Sequence, residues 1–273
     1  MRRLIALGSL AGAPGVTTTA LALAAAWPQG ADGGVRPVVV EANVWGGDLA
    51  TRCGAPHTPG LLDVAAAARQ PQPGSLLGAV ADLPFGVRAV VAPAGRGACG
   101  EAVRVLAAES GRRVLRGEAG DRGTVLLDVG RIIEDVEGLL SAVDHVMLVT
   151  RGCPEALTHF YAHLLSVDEE ARQITLVVVG PCPFPAEEIT QALGVQEVVF
   201  LPWDVRTMAA MRSQRRITLR TSGFGTRPLM AAAHLLARQI SKADESAEVP
   251  ERAGVVRQMR AALVDAPGEG SGA

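Results

Sequence analysis

Lysine is nearly absent. Among the 26 basic side chains of this 273-residue chain one, Lys242, is a lysine, and it stands in a polar segment near the C-terminus. Arginine is longer, planar and fork-shaped, so it does not replace a compact ammonium threaded into a tight loop. Chemistry of that kind has no lysine to use in the first 241 residues. Cysteine is scarce as well: Cys53, Cys99, Cys153 and Cys182 lie far apart with no C-x-x-C pair. That excludes a zinc ribbon or a disulfide frame and fits buried structural thiols in a reducing cytoplasm. No apolar run reaches the ~18 residues of a membrane span. Net charge is −2 and the pI is near 6.2, so nothing global advertises nucleic acid or an anionic lipid surface. Residues 1–27 have the outline of a twin-arginine secretory leader, but glycines, Pro14-Gly15 and three threonines interrupt the apolar stretch. The segment is expected to be the first strand and helix of a folded domain.

What is present suits an α/β protein. With 48% hydrophobic and 20% charged residues, the chain can bury a substantial core as one domain. That domain is expected over residues 1–241, with a separate tail at 242–273. Apolar runs at 4–7, 37–42, 87–92, 124–128, 145–150, 174–179 and 197–201 read as strands. Helical patterns fall at 60–69, 75–82, 101–110, 134–142, 154–167, 186–193 and 228–241. Continuous Val/Leu/Ile strands separated by helices predict a mostly parallel sheet covered on both faces. Function should then collect at the strand C-termini.

The first of those ends is the most informative. The opening strand runs into a loop from Gly8 to Gly15, and Thr17-Thr18-Thr19 then opens an Ala/Leu-rich helix. The first turn of a helix leaves N–H groups unpaired and carries partial positive charge, so this is a phosphate site in outline. In a P-loop the last glycine is followed by a lysine that reaches the β- and γ-phosphates, and then by a Ser/Thr hydroxyl for Mg²⁺. Here Gly15 is followed by Val16 and Thr17. The threonines read equally as a helix cap, which is worth about 1 kcal/mol without any ligand.

Together with that loop, the stretches VVVEANVWGGDLA, TVLLDVG, VMLVTRGCPEAL and FLPWD, in this order, resemble the MinD/ParA group of P-loop ATPases, including its pilus-associated TadZ/CpaE branch. The resemblance covers about residues 3–240. It implies a P-loop NTPase fold, ATP and Mg²⁺ as ligands, a face-to-face dimer and a role in positioning other cell components. The group's signature lysine falls on Ala11 and its second lysine on Val16, so the Walker A motif is degenerate. Gly12 and Gly15 belong to the loop, Thr17 matches the Mg²⁺-binding hydroxyl and Thr18 the next phosphate contact. The Asp-x-Asp that ends the second strand is Glu41-x-Asn43, which puts an amide where a carboxylate would order the attacking water. Asp128 matches the aspartate that reaches Mg²⁺ through water, and Pro202 and Asp204 match the Pro-x-Asp stretch near the base. The adenine-binding asparagine is not evident in VVVGPCP. The cofactor-binding set is therefore Gly12, Gly15, Val16, Thr17, Thr18, Pro202 and Asp204, and the metal set Thr17 and Asp128. No catalytic residue is assigned, and ATP and Mg²⁺ are expected to bind weakly or not at all.

Other features carry two readings each. Glu41 is either a general base or a strand-end carboxylate in solvent, and Trp203 either packs or stacks on a base. The five histidines form no ligand pattern; His159 and His163 are four apart on a helix but lack the intervening Glu of a zinc protease. The expected function is a non-hydrolysing scaffold or regulator that positions a partner in cell division, partition or a secretion or pilus apparatus. One alternative is an ATPase using an arginine or a partner's residue in place of lysine. Another is DNA binding through Arg212, Arg215, Arg216 and Arg220, although nucleic acid is not the expected ligand. After Ser241 a polar linker leads to residues 254–264, where Val255, Met259 and Leu263 share one helical face and Arg257 and Arg260 another. This segment is expected to meet a protein partner rather than a membrane. The chain is expected in the cytoplasm, with a peripheral place at the membrane as the alternative.

Overall fold

Both faces of the first strand are apolar and both are buried. Leu4 and Ala6 face one way, Ile5 and Leu7 the other, and all four are inaccessible to solvent. A strand of that kind belongs in the middle of a covered sheet, and Arg3–Ser9 (β1) lies there in the computed structural model. The structure describes residues 1–12, 15–72, 74–83, 85–164, 173–211 and 226–243.

The strands after β1 are Val38–Glu41 (β2), Ala81–Asp82 (β3), Arg88–Val90 (β4), Thr124–Arg131 (β5), His145–Arg151 (β6), Gln173–Val179 (β7) and Glu197–Leu201 (β8). The sheet order is β3-β4-β2-β5-β1-β6-β7-β8, and only the β3–β4 edge pair is antiparallel. The α-helices of the described residues are Val16–Ala25 (α1), Leu49–Cys53 (α2), Leu61–Ala68 (α3), Arg96–Ala107 (α4), Glu109–Arg116 (α5), Glu134–Leu140 (α6), Pro154–Leu164 (α7), Ala186–Leu193 (α8), Val205–Met211 (α9) and Pro228–Ala243 (α10).

Strand alternation sends side chains into two cores. Leu4, Val40, Leu127 and Leu148 pack with Val64 of α3, Val103 of α4, Leu115 of α5 and Leu139 of α6. Ile5, Val39, Leu126 and Met147 pack with Leu23 of α1, Leu49 of α2 and Leu236 of α10 on the other face. The expected parallel α/β sheet with helices on both faces is what the chain forms.

Two local expectations need correction. Residues 75–82 do not make a helix: Ser75 caps a single 3-10 turn, Leu76–Ala79, and the chain then extends into β3. The helix expected at 101–110 starts earlier, at Arg96, and breaks at Ala108, whose ψ of 163° is extended. Cys53 and Cys99 are buried as expected, whereas Cys153 and Cys182 are only half-buried.

At the N-terminal edge of the sheet a buried polar chain links three strand starts. His145 Nε2 meets Thr175 Oγ1 at 2.9 Å, and the Thr175 hydroxyl donates to Glu197 at 2.6 Å. Since that hydroxyl hydrogen is committed, Thr175 accepts from His145, which fixes a neutral Nε2–H imidazole. Burial, with help from the Arg3 charge, pushes His145 down to about 4.

Candidate functional site

The C-terminal edge of the sheet brings the glycine loop, the ends of β2 and β5, and the turn after β8 together. Gly12 and Gly15 have φ of 68° and 122°, backbone that a side chain would strain. Gly15 also caps α1, its carbonyl accepting the Thr19 N–H at 2.7 Å. The helix has no side-chain cap and no acidic residue in its first turn. The threonines therefore do not serve as the Ncap, and the first-turn N–H groups remain available to an anion.

Val16, the residue after the last loop glycine, is 5% exposed. Its side chain belongs to the apolar core with Leu7, Val149 and Val179. Thr17 and Asp128 are brought together: the Thr17 hydroxyl bonds the Asp128 carboxyl, which also accepts the Gly130 N–H at 3.1 Å. Burial pushes Asp128 up to about 6. A hydroxyl and a carboxylate are hard oxygens of the kind Mg²⁺ takes alongside water and phosphate, so the pair fits that ion chemically. A bound ion would compete with the hydrogen bond between them. Among the described residues no cluster of three or more metal-ligating side chains occurs.

Glu41 is not in solvent. It is 3% exposed and lies opposite Asp128 in the β2–β5 register. One carboxylate oxygen accepts the N–H groups of Asp48 and Leu49 at 3.0 and 3.1 Å, and the other accepts the Ala92 N–H at 2.8 Å. Glu41 thereby ties the end of β2 to the start of α2 and to Ala92, two residues beyond β4. Burial pushes it up to about 7, against the three N–H donors and with a contribution from Asp128. A Cβ on Gly47 would overlap this carboxylate, so a larger residue there would displace Glu41 from its N–H donors. Asn43 fixes the following turn, its Oδ1 accepting the Trp45 N–H at 3.0 Å.

Gly15, Thr18, Pro202 and Trp203 line one narrow cleft with Val179 and Leu201. Its volume of about 10 Å³ matches a single water rather than a base. The Asp204 carboxylate is engaged by N–H and O–H groups of α9 and α10 instead. It caps α9, accepting the Thr207 N–H at 3.0 Å and the Thr207 hydroxyl. Burial pushes its carboxyl up, but the Thr207 and Leu229 hydrogen bonds and the Arg227 charge together hold it below the usual range. Trp203 is 43% exposed rather than packed, with the Arg151 guanidinium 5.4 Å from its ring centre. Trp45, 54% exposed, carries Arg96 at 4.6 Å.

Sequence reasoning missed Arg131. Its Cδ lies 3.8 Å from where a Cβ on Gly12 would stand, and its side chain is exposed. The signal was the β1–β5 register, which sets Ser9 opposite Arg131 and so carries the end of β5 along the loop. His163 Nδ1 meets the His159 carbonyl at 2.7 Å, one turn back along α7. The arginine cluster at 212–220 and the amphipathic segment at 254–264 lie outside the described residues.

No protein-family model matches the sequence, and no curated protein matches it. Solved structures do. The septum site-determining protein MinD complexed with Mg-ADP, from Pyrococcus horikoshii, aligns with TM-score 0.68 and 17% identity over 91% of this chain and 100% of its own. A ParA family ATPase from Chlorobium tepidum gives 0.65 and 17%, covering 88% and 98%. The MinC:MinD cell division protein complex of Aquifex aeolicus gives 0.63 and 14%, covering 92% and 98%. At such identities the likeness establishes the fold, an α/β P-loop NTPase architecture.

Proposed function

We propose that this chain is a MinD/ParA-type protein, nearest in kind to the TadZ/CpaE branch, that works by binding and positioning a partner and does not hydrolyse ATP. The observation that carries this reading is Val16: where phosphoryl transfer needs an ammonium, a valine is turned into the core. Ala11 removes the other lysine, and Asn43 replaces the carboxylate that would order water. Loss of one electrostatic contact to a transferred phosphoryl typically costs on the order of 10² in rate or more, so these changes together leave little turnover. The surviving loop glycines and first-turn N–H groups support weak anion binding by Gly12, Gly15, Thr17 and Thr18, with Asp128 beside any Mg²⁺. A MinD neighbour is described with Mg-ADP and another in complex with MinC, which supports a nucleotide and a protein as ligand classes. Exposed Trp45 and Trp203, each under an arginine, offer partner-binding anchors on the same edge, for a second copy or another protein. The tail from residue 244 supplies a further partner element.

A second reading rests on Arg131. A guanidinium beside Gly12 could neutralise phosphate in place of lysine, making the protein a slow ATPase. Steady-state hydrolysis of ATP with Mg²⁺ decides between them. The scaffold reading expects no rate above background. A rate abolished by both Thr17→Ala and Arg131→Ala, in variants that keep their melting temperature, would overturn it and establish the second.

A further inference from the structure

The N-terminal edge of the sheet holds a cavity of about 500 Å³ between the start of β1, the loop before β5, the turn Ala31–Gly34 and the last turns of α10. That is within the roughly 300–1,000 Å³ of small-molecule sites. Its lining is cationic: Arg3, Arg122, Arg238 and Lys242 converge on it from three separate parts of the sequence, and the chain's single lysine is among them. One carboxylate, Asp32, is present against these four cations, and its Oδ2 accepts the Trp27 indole N–H at 3.1 Å and the Thr124 hydroxyl at 2.8 Å. Arg3 is positioned by the Ile240 carbonyl at 2.8 Å and lies 5.8 Å from the Trp27 ring centre.

Elsewhere Arg69, Arg96, Arg104, Arg113 and Arg116 each sit on a carboxylate. Among the described residues Arg122, Arg238 and Lys242 have no carboxylate partner, as is also true of Arg36, Arg88, Arg131 and Arg151, and they differ from these in converging on one cavity. Arg238 and Lys242 are also four apart on one helix, a like-charge spacing that disfavours the helix slightly. Their position near its C-terminus offsets part of that cost through the helix dipole, but this does not account for Arg122 on another element. Several guanidinium forks and an ammonium around one concave space match an anion with many oxygens and a charge of two or more.

We propose that this cavity binds a small multiply charged phosphate anion, at a site separate from the glycine loop at the other edge of the sheet. Trp27 stands beside Arg3 and reports on the site, and the chain's other tryptophans, Trp45 and Trp203, are exposed and removable. The full chain carrying Trp45→Phe and Trp203→Phe is titrated with pyrophosphate, without Mg²⁺, while Trp27 emission is read. The expected result is a saturable change that weakens at least tenfold in Arg122→Ala/Arg238→Ala and is unmoved by Thr17→Ala. Loss with Thr17→Ala would assign the signal to the loop, and no saturation, or saturation indifferent to the two arginine substitutions, would overturn the proposal. Saturation seen only once Asp244→Asn, Glu245→Gln, Glu248→Gln and Glu251→Gln are all introduced would also overturn it. In that case the chain's own acidic stretch, and not a diffusible ligand, is what the cations hold.

Discussion

The two edges of the sheet divide the features of an anion site between them. At the C-terminal edge the backbone is shaped for phosphate, with Gly12 and Gly15 at positive φ and no side chain capping α1. The charges there oppose it: Glu41 and Asp128 are buried carboxyls, and Val16, next after the loop, is buried in the core. At the N-terminal edge the cations collect without a dedicated backbone loop, around Arg122, Arg238 and Lys242. Backbone geometry in this fold is thus separable from the charge that normally accompanies it. A loop shape alone is a poor guide to chemistry, because glycine placement also serves the turn itself.

The largest expected effect tests the carboxyls of the first edge. Glu41 is held at about 7 against 4.5, and Asp128 at about 6 against 3.8. Acids with raised pKa values stabilise the fold below their unfolded values and lose that contribution as pH rises through the folded ones. His145, at about 4 against 6.5, acts oppositely, losing its contribution as pH falls through that range. Between about pH 4.5 and 6 two acids oppose one imidazole, so melting temperature should fall as pH rises. A rise as large as that of Glu41 corresponds to roughly 3 kcal/mol. Glu41→Gln should flatten the profile across that window. An unchanged slope in the variant means that Glu41 titrates normally.

The next effect belongs to the N-terminal edge. Thr175→Val keeps the shape but strands His145 Nε2 and removes a donor from Glu197, both tied to it at hydrogen-bond distance. Leaving a buried polar group unsatisfied costs about 1–3 kcal/mol, readable by urea denaturation. A loss well under that range would show that water replaces the hydroxyl and the edge is more open than the other.

Supplying the missing charge sharpens the contrast further. Val16→Lys should raise ATP affinity at least tenfold from a starting Kd of roughly 0.1 mM or weaker, about 1.4 kcal/mol. Some stability should be lost with the buried valine, because the lysine stem must run out of the core to place its ammonium. Calorimetric titration that finds no gain in a folded variant would mean that the closed cleft at Gly15, Thr18, Pro202 and Trp203, and not charge, limits binding.

The parallel sheet was legible because its strands are apolar on both faces, and the loop because glycine, proline and threonine mark it. What escaped notice depends on distant parts of the chain. The stretch 75–82 has helical spacing, yet Ala81 and Asp82 pair with Ala89 and Arg88 at the sheet edge. The burial of Glu41 depends on N–H groups from Asp48, Leu49 and Ala92, which no local pattern connects to it. Arg131 meets the loop only through strand register, and the basic cavity joins residues more than a hundred positions apart. The separation of the two edges is therefore a tertiary property, invisible to motif reading.

The smallest expected effect concerns stability after removal of the tail. Helix α10 packs through Leu229, Ala233, Leu236 and Ile240, all four of them buried in the core against α1 and the sheet. The linker that follows carries Asp244, Glu245, Glu248 and Glu251 and is too polar to add core. The sequence spaces Val255, Met259 and Leu263 as one helical face, which would gain about 1.5–3 kcal/mol per side chain only when fully covered, a gain we assign to a partner groove. Truncation after Ala243 should therefore shift the melting temperature by no more than a degree or two, while abolishing capture of the partner by the full-length protein. It also removes carboxylates that follow the basic edge in sequence and leaves the phosphate-loop edge untouched, so any change should favour anion binding at the basic edge alone. Two arginines give a weak pull toward anionic lipid, about 1 kcal/mol each, so vesicles of phosphatidylserine should retain little of the intact chain. Strong vesicle binding that disappears on truncation would replace the protein groove with a lipid surface, and unfolding on truncation would make the tail part of the core.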